Sequence, residues 1–498
     1  MHDLKERAIR GGLAKLTGQG ASLVLRVGTL AVLARLLSPN DFGLVAMMTV
    51  VTGFFDIISS AGLTPAVVQS ATITDAQRSK LFWINTGFGA ALAGFCLLGA
   101  PLLADFYGEP RLASVAPAFA VIFLLNGLGV QQQALLERQL RFVATTRIEL
   151  TAHACNAAVA IASAWAGFGY WALIFGLIVQ SAVYTWACWL ATGWIPGLPE
   201  RGVSVAPLLR FGGTVTLNNM VVFLAYNFEK MLIGRYWGAA SLGIYGRAYQ
   251  LINIPTQSIN SAVAGVALSA LSRLQHDPER QRRYFVKGYS LLMSVTMPLT
   301  IFCALFGADI ILVMLGPQWT EAVPVFRLLT PTVLTFGMIN PLWALLLSSG
   351  LQKRSLYLAL VICPLVLTAV ALGVPYGPTG VAAAFSTVMV LWVVPHILWS
   401  LKGTSVRPLD LAKAAGKPFL SALVGGLVAF LLSQQLTFIE WPILRLALCG
   451  GTMAVVYYAF LFFALGEAQA YLDLLRSFGL IPPRRTDRND WVEKPQDA

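Results

Sequence analysis

The chain alternates long apolar segments with short polar or charged breaks along almost its whole length. Most apolar segments reach about 20 residues, the length that an α-helix needs to cross the hydrocarbon core of a bilayer. The segments are continuously apolar rather than alternating, so they predict helices and not the strands of a membrane barrel. Fourteen spans are predicted, at 17–37, 42–69, 80–104, 112–136, 147–166, 170–194, 207–235, 243–271, 284–306, 322–349, 355–375, 379–401, 415–436 and 443–466. The predicted fold class is an all-α integral membrane protein.

Three of these spans carry polar residues at intervals of three and four. This spacing puts the polar side chains on one face of a helix. Because an unpaired polar group is costly in hydrocarbon, each stripe should face a partner helix or a water-filled cavity. The stripes are Gln19, Ser22, Arg26 and Thr29 in span 1, Thr49, Thr52, Asp56 and Ser59 in span 2, and Gln250, Asn253, Gln257 and Asn260 in span 8, with Arg247 one step earlier.

The first two spans form a predicted hairpin that has a counterpart about 200 residues later. Arg35 and Gly43 bracket the first turn, and Arg235 and Gly243 bracket the second. An internal duplication of helical halves is a common way to build a transporter. The predicted division is a helical bundle at 1–200, a second at 201–402, two additional helices at 403–466, and a partly disordered cytoplasmic tail at 467–498.

Composition and charge support a membrane protein with both termini in the cytoplasm. Hydrophobic residues make up 57% of the chain and charged residues 12%, about half the charged fraction of soluble domains. Of the 35 lysines and arginines, 27 fall in segments that the 14-span scheme places on one side. An excess of basic residues in the cytoplasmic loops is the rule for membrane proteins. The net charge of +12 is therefore spread as topology requires and does not indicate nucleic-acid binding.

Seven cations lie inside or at the edge of predicted spans, and three of them, Arg35, Arg235 and Arg445, sit near the outer interface, where their side chains can reach water. The other four are Arg26, Lys230, Arg247 and Arg327. A charge at the bilayer centre costs about 2.5–3.5 kcal/mol on the insertion scale. Folding the first hairpin about its turn places Arg26 near the midplane, with Asp56 one helical turn away. Several cations near one cavity indicate an anionic partner.

A plainer interpretation of the same residues stays open. Arg26–Asp56 and Glu229–Arg247 are then ion pairs that only join helices. The polar stripes then serve helix packing, at about 0.6–2 kcal/mol per contact.

The sequence carries no motif for metal, cofactor or catalytic chemistry. There is no G-x-x-x-x-G-K-[ST] phosphate loop, no H-E-x-x-H and no G-x-S-x-G. The six cysteines fall inside apolar segments without metal-ligand or redox spacing. No catalytic residue, metal or cofactor is predicted.

The hairpin residues carry a family resemblance. The run Arg10-Gly11-Gly12 through Leu36-Leu37-Ser38-Pro39-Asn40-Asp41-Phe42-Gly43-Leu44, and Leu242-Gly243-Ile244-Tyr245-Gly246-Arg247-Ala248-Tyr249, resemble the Wzx-type oligosaccharide flippases. These belong to the multidrug/oligosaccharidyl-lipid/polysaccharide exporter superfamily, and the colanic-acid or lipopolysaccharide biosynthesis branch looks closest. The resemblance covers the chain to about Gly466, although its distinctive motifs are confined to the two hairpins.

The resemblance implies two pseudo-symmetric bundles around a central cavity. It implies that the protein moves undecaprenyl-pyrophosphate-linked oligosaccharide repeat units across the bacterial inner membrane. Implied partners are the lipid-linked oligosaccharide, membrane lipids, and a polysaccharide polymerase with its chain-length regulator. The family's cationic position on helix 1 falls on Arg26, whereas the other charges rest on the depth argument. The predicted substrate-binding set is Arg26, Asp56, Lys230, Arg247, Gln250, Asn253, Gln257, Asn260 and Arg327.

Two other functions remain alternatives. A drug or cation antiporter of the same superfamily should have an acidic lumen, whereas the predicted lumen cations outnumber Asp56 and Glu229. A membrane-embedded polysaccharide polymerase or ligase needs catalytic groups at the outer face, commonly on a large loop, and the 14-span scheme contains no such loop. The flippase is therefore the leading hypothesis.

Overall fold

The computed structural model describes residues 2–60, 73–200, 204–274, 277–439, 441–466 and 471, and the regular structure in these ranges is helical. The helices are α1 (His2–Leu36), α2 (Pro39–Ser60), α3 (Asp75–Tyr107), α4 (Arg111–Arg138), α5 (Phe142–Trp165), α6 (Trp171–Thr192), α7 (Ala206–Arg273), α8 (Pro278–Met314), α9 (Ala322–Leu329), α10 (Pro331–Ser348), α11 (Gln352–Gly373), α12 (Gly377–Leu401), α13 (Pro408–Gln435) and α14 (Pro442–Ala459). Short 3₁₀ turns follow α8, α11 and α13, and the π-helical turn Phe460–Ala464 continues α14.

These helices confirm the all-α membrane fold. Most of their ends fall within a few residues of the predicted spans. The helix α7 is broken at Gly238, whose φ of 77° and ψ of −177° are non-helical, so a first arm (206–237) and a second arm (239–273) correspond to spans 7 and 8. Nine segments of the described residues are long and apolar enough to cross a membrane. The count of 14 spans therefore stays a prediction.

The chain forms two compact units. Unit 1 contains Met1–Leu251, Ile311–Leu329 and Ala359–Val388, and unit 2 contains Ile252–Ile310, Thr330–Leu358 and Met389–Ala498. The units interleave along the sequence, and four helices, α7, α8, α11 and α12, each contribute to both. The division of the sequence at 201 and 403 stays a prediction.

In unit 1, the two predicted hairpin turns pack against each other reciprocally. A Cβ atom added to Gly43 would overlap the carbonyl oxygen of Ala239, and one added to Gly243 would overlap that of Pro39. The two contacts are related by a shift of 200 residues, from 43 to 243 and from 39 to 239. The same contact therefore occurs twice, as expected if the hairpins arose by duplication. Both glycines are needed because the helix backbones approach too closely for a side chain.

A second pair of contacts in unit 1 follows the same symmetry. Trp319, just after α8, donates its indole N–H to the carbonyl oxygen of Ala34 at 2.8 Å, and its ring packs edge-on against Phe42 at 5.4 Å. Tyr107, at the end of α3, packs so close to Gly234 that a Cβ there would lie 2.9 Å from its ring. Residues 34 and 234 again differ by 200. Each hairpin is therefore held by an aromatic residue from the end of another helix.

The one clear basic residue of the predicted outer loops, Arg111, is paired. Its guanidinium donates two hydrogen bonds to the carboxylate of Glu109, both at 2.8 Å. These hydrogen bonds lower the pKa of Glu109. The loop between α3 and α4 therefore gains little net charge from Arg111.

Unit 2 is built around aromatic and aliphatic residues of α8, α13 and α14. Tyr289, Met293 and Leu411 belong to its buried core. The phenol of Tyr457 on α14 donates to the carbonyl oxygen of Ser294 on α8 at 2.8 Å. Near the first turns of α8 and α13, the guanidinium of Arg282 donates to both carboxylate oxygens of Asp410, at 2.7 and 2.8 Å. This ion pair fixes the register of the two helices.

Candidate functional site

Unit 1 contains a cavity of about 520 Å³ that we call the arginine cavity. Ligand pockets in proteins commonly measure about 300–1,000 Å³. Five helices line it: α1 with Leu25, Arg26, Thr29, Leu30 and Leu33, α2 with Phe42, Val45, Ala46 and Thr49, α5 with His153, Asn156 and Ala160, α6 with Leu173, Leu177 and Gln180, and the second arm of α7 with Arg247 and Gln250. The cavity thus combines an apolar wall with two guanidinium groups, one imidazole and three amide side chains.

Arg26 reaches this cavity from the polar stripe of α1. Its side chain is exposed, and within the described part of the chain it makes no hydrogen bond. Thr29, three residues later, also lines the cavity. Its hydroxyl donates a hydrogen bond to the carbonyl oxygen of Leu25 at 2.7 Å. The stripe predicted on helix 1 therefore faces a cavity, with a guanidinium available to bind an anion.

Arg247 enters from the opposite hairpin, on the second arm of α7. Its guanidinium lies 4.3 Å from the centroid of the Phe42 ring, a cation–π contact, and it donates to the side-chain oxygen of Gln250. The Nε of Arg247 is buried and has no hydrogen-bond partner among the described residues. Arg247 is therefore held in place by Phe42 and Gln250, with donor capacity remaining.

Amide and imidazole groups of α5 and α6 complete the polar lining. The Nδ2 of Asn156 donates to the Oε1 of Gln180 at 2.6 Å, which joins the two helices. His153 also lies beside Gln180, within range of the charge of Arg26. Amides both donate and accept hydrogen bonds, so this wall suits hydroxyl groups better than a bare ion.

Lys230 does not line the arginine cavity. Its ammonium donates to the side-chain oxygen of Asn227 at 2.8 Å and lies 4.7 Å from the ring centroid of Tyr249. The carboxylate of Glu229 is fully buried and has no hydrogen-bond partner within the residues that the structure describes. Because neither carboxylate oxygen of Glu229 has a partner, the described residues do not show the Glu229–Arg247 ion pair of the plainer interpretation.

Two other members of the predicted set that the structure describes lie outside this cavity. Asn253 belongs to unit 2 and is half-buried, and Arg327 lies exposed in the last turn of α9. The side chains of Asp56, Gln257 and Asn260 lie outside the described residues. Arg26, Arg247 and Gln250 are thus the members of the predicted set that line one cavity.

Sequence reasoning missed the wall formed by α5 and α6. It named none of His153, Asn156 and Gln180 as a binding residue. A signal was present, because Glu149, His153 and Asn156 follow the same spacing of four and three residues as the stripes. Gln180 stands alone in an apolar helix, so only the tertiary structure connects it to the site.

The lining predicts a pattern of chemical accessibility in a cysteine-free background. Cysteines at Gln250 and Gln180 should react with water-soluble thiol reagents, because both side chains line the cavity. A cysteine at Leu251 is the control, since it points about 100° away from Gln250 on the same helix. Equal labelling of Gln250 and Leu251, or none at either cysteine of the cavity, would contradict the assignment.

The fold and cavity define a class, and comparisons with known proteins give the family. The fold is shared with solved membrane transporters. The solved structure of the lipid II flippase MurJ, in an inward closed conformation, matches with a TM-score of 0.74 at 15% identity, covering 92% of this chain and 99% of that one. An inward-facing multidrug resistance MATE family transporter matches with a TM-score of 0.63 at 12% identity, covering 81% of this chain and 99% of its own.

The chain belongs to the polysaccharide biosynthesis protein family, whose model matches residues 32–324, more than half of its length. The lipopolysaccharide biosynthesis protein WzxC of Escherichia coli (strain K12) is 27% identical over 359 residues, which cover 70% of this chain and 71% of WzxC. The chain is therefore a membrane protein of the polysaccharide biosynthesis family, the family that the sequence resemblance implied.

Proposed function

We propose that this protein is a flippase that moves lipid-linked oligosaccharide repeat units, carried on undecaprenyl pyrophosphate, across the bacterial inner membrane for surface polysaccharide synthesis. The observation that carries the proposal is the charge of the arginine cavity. Arg26 and Arg247 line it, and no carboxylate does so among the described residues. A pyrophosphate bears about two negative charges, and a guanidinium binds phosphate oxygens bidentately.

The remaining polar groups suit the glycan. Gln250, Asn156 and Gln180 present amides that can donate to and accept from sugar hydroxyls. The leucines of α1 and α6 give the apolar faces of sugar rings a surface to pack on. The lipid tail needs no site in this cavity, because it can remain in the bilayer while the head group crosses.

The charge of the cavity also separates this function from its alternatives. An exporter of cationic drugs would need carboxylates in its binding site, and the described lining of the arginine cavity provides cations instead. The MATE fold match concerns architecture at 12% identity and carries no substrate preference. The flippase function therefore agrees better with the site.

A deletion strain tests the function directly. Loss of the gene should remove one surface polysaccharide while its lipid-linked repeat unit accumulates on the cytoplasmic side of the membrane. Complementation with the intact chain should restore the polysaccharide. A deletion strain that keeps all its surface polysaccharides but becomes sensitive to cationic drugs would favour the antiporter instead.

The proposal includes an orientation, with both termini in the cytoplasm, and a partnership with a polymerase and its chain-length regulator. In this orientation Gln352, at the start of α11, faces the cytoplasm, and Tyr376, just beyond the other end of α11, faces the periplasm. Both residues are exposed. A single cysteine at Tyr376 should react with a membrane-impermeant reagent in whole cells, and one at Gln352 should react only after lysis. The reverse pattern would overturn the orientation.

A further inference from the structure

Glu229, on the first arm of α7 in unit 1, is an acidic group that the proposed function does not use. Its side chain is fully buried, and neither carboxylate oxygen has a hydrogen-bond partner within the described residues. The adjacent ammonium of Lys230 contacts Asn227 and Tyr249 instead. A buried carboxylate without partners is too costly to keep ionised in a low-dielectric interior, so a proton neutralises it. The geometry of Glu229 is therefore that of a proton-binding site.

The shift of 200 residues that relates the two hairpins shows how this site differs from the arginine cavity. Three residues that line the arginine cavity have larger or acidic counterparts in the second hairpin: Glu229 replaces Thr29, Tyr245 replaces Val45 and Tyr249 replaces Thr49. Both tyrosines are buried, and their rings stack 6.2 Å apart. The second hairpin therefore has aromatic rings and a carboxyl group where the first has the small residues of a cavity wall.

The titratable and charged groups around Glu229 come from both arms of α7 and from α11. They are Tyr226 and Lys230 on the first arm, Tyr245, Arg247 and Tyr249 on the second, and Cys363 on α11, beside Tyr226. On α12, the uncharged ring of Phe385 packs against Tyr249. Because phenols and thiols ordinarily stay protonated near neutral pH, the charged members of this group are the two cations, Lys230 and Arg247. Loss of a proton from Glu229 would therefore create an anion near two cations.

Arg247 connects Glu229 to the arginine cavity. Pairing the two arms of α7 about the break at Gly238 sets residue 229 opposite residue 247. Lys230 lies within range of the charges of both Glu229 and Arg247. The buried Nε of Arg247 has no hydrogen-bond partner among the described residues, so its guanidinium can donate a further bond. An ionised Glu229 would attract both cations and draw Arg247 away from an anion in the cavity, whereas a neutral Glu229 leaves Arg247 in the cavity lining, as observed.

We propose that Glu229 binds a proton and that this proton controls anion binding in the arginine cavity through Lys230 and Arg247. The proposal rests on the function proposed for that cavity. The step is an acid–base equilibrium, in which a proton from water joins one carboxylate oxygen of Glu229 and returns to water on release, with no other bond made or broken. The neutral form favours the bound anion, and the ionised form competes with it. By reciprocity, binding of the anion favours uptake of the proton by Glu229.

Binding of UDP-glucose to the full-length purified protein tests the coupling. Its diphosphate is a diester, so its charge stays constant between about pH 4.5 and pH 8.5, a range that spans the titration of exposed and of buried glutamates. As the pH rises through this range, Glu229 loses its proton, and the affinity measured by titration calorimetry should fall by about tenfold, within the range of about 5–150-fold that is typical of coupling between two sites. Near the middle of this fall, binding of UDP-glucose should take up protons from the buffer.

Four variants distinguish Glu229 from other groups that titrate. Glu229→Gln should bind at every pH with the affinity that the intact protein has at acid pH, and without proton uptake, whereas Glu229→Asp should keep a fall with pH. His153 lines the arginine cavity, so its own titration changes the charge of the lining. His153→Gln should therefore keep the part of the fall that Glu229 causes. Glu321→Gln, which removes an exposed carboxyl group from the same unit, should behave as the intact protein does.

Infrared spectroscopy of the same proteins reports the proton itself. At neutral pH, the difference spectrum between the intact protein and Glu229→Gln should contain the carbonyl band of a protonated carboxyl group. The proposal is overturned if this band is missing, if Glu229→Gln keeps the pH dependence of the intact protein, or if sodium ions at constant pH change the affinity as protons do. A protein that shows the band but binds no UDP-glucose at any pH would contradict the function proposed for the cavity and the coupling with it, whereas binding to the intact protein that does not change with pH would contradict the coupling alone.

Discussion

Alanine at position 26 is expected to abolish translocation while the protein still inserts and folds. The side chain of Arg26 is exposed in the arginine cavity, and within the described residues it makes no hydrogen bond that its loss would break. Surface substitutions without such contacts usually change stability by about 0.5 kcal/mol or less. Transport, in contrast, loses a guanidinium that the proposed function places against the pyrophosphate. Surface polysaccharide in a complemented deletion strain, measured alongside the level of protein in the membrane, reports both quantities.

The membrane potential explains why substitution of Arg26 should change the rate of translocation rather than its direction. With the inside of the cell negative, moving an anion outward is favoured by about 2.3 kcal/mol per charge per 100 mV. The protein therefore has mainly to lower the barrier for a charged head group in a low-dielectric path. Arg26→Lys should keep partial function, because the charge remains while the bidentate geometry is lost.

Variants of Asp56 distinguish a substrate-binding role of Arg26 from a purely structural one. If Asp56 is only the resting partner of Arg26, then Asp56→Asn should be milder than Arg26→Ala. If the two residues only hold α1 and α2 together, the two alanine variants should be similarly unstable, and the double variant should recover expression and activity. A fully active Arg26→Ala at normal abundance would exclude a substrate role for this residue.

Arg247→Ala provides a useful contrast. Its side chain packs on Phe42 and bonds Gln250, so its loss should reduce both transport and thermal stability. A cation–π contact at a desolvated site is worth about 2 kcal/mol, and a hydrogen bond to a charged group about 1.5–3 kcal/mol. Loss of Arg247 should therefore reduce stability as well as transport, whereas loss of Arg26 should reduce transport alone.

Much of this fold follows from the sequence because the relevant signals are local. Continuous apolar segments of bilayer length predicted the helices, and the turn predicted between Arg235 and Gly243 contains the observed break at Gly238. The 3-4-3 spacing placed Arg26 and Gln250 on polar faces, with Arg247 one step before Gln250. Each of these inferences needs only helix geometry and the cost of polar groups in hydrocarbon.

The composition of the cavity wall could not be predicted, because it depends on which helices become neighbours. Gln180 gains its role through Asn156 of the preceding helix, and no spacing within either helix indicates that contact. Depth alone also does not distinguish Lys230 from Arg247: the ammonium of Lys230 contacts Asn227 and Tyr249 and does not line the arginine cavity. Residues at one depth can face different neighbours, and only packing distinguishes them.

Packing also explains why the glycines of the two turns matter. Gly43→Ala is expected to lower the thermal stability of the protein and to reduce transport, because the added Cβ would overlap the backbone of Ala239, which no side-chain rotation can relieve. Overpacking commonly costs about 1–3 kcal/mol, and more where backbone must move. Gly243→Ala should behave in the same way, through Pro39. Unfolding of the purified protein in detergent, followed by fluorescence-detected chromatography, measures the loss.

Gly28 and Gly246 serve as controls, since a Cβ at either would meet nothing within 4 Å. Alanine there should be neutral or stabilising, by up to about 1 kcal/mol, because alanine favours the helix.

The double variant Gly43→Ala, Gly243→Ala tests whether the two glycines serve one crossing of α2 and α7 or two separate contacts. Either alanine forces the same two helices apart, so the second should cost less than the first, and the combined loss should fall short of the sum. Fully additive losses, or a Gly43→Ala protein as stable as the controls, would show that the two hairpins do not depend on one reciprocal contact.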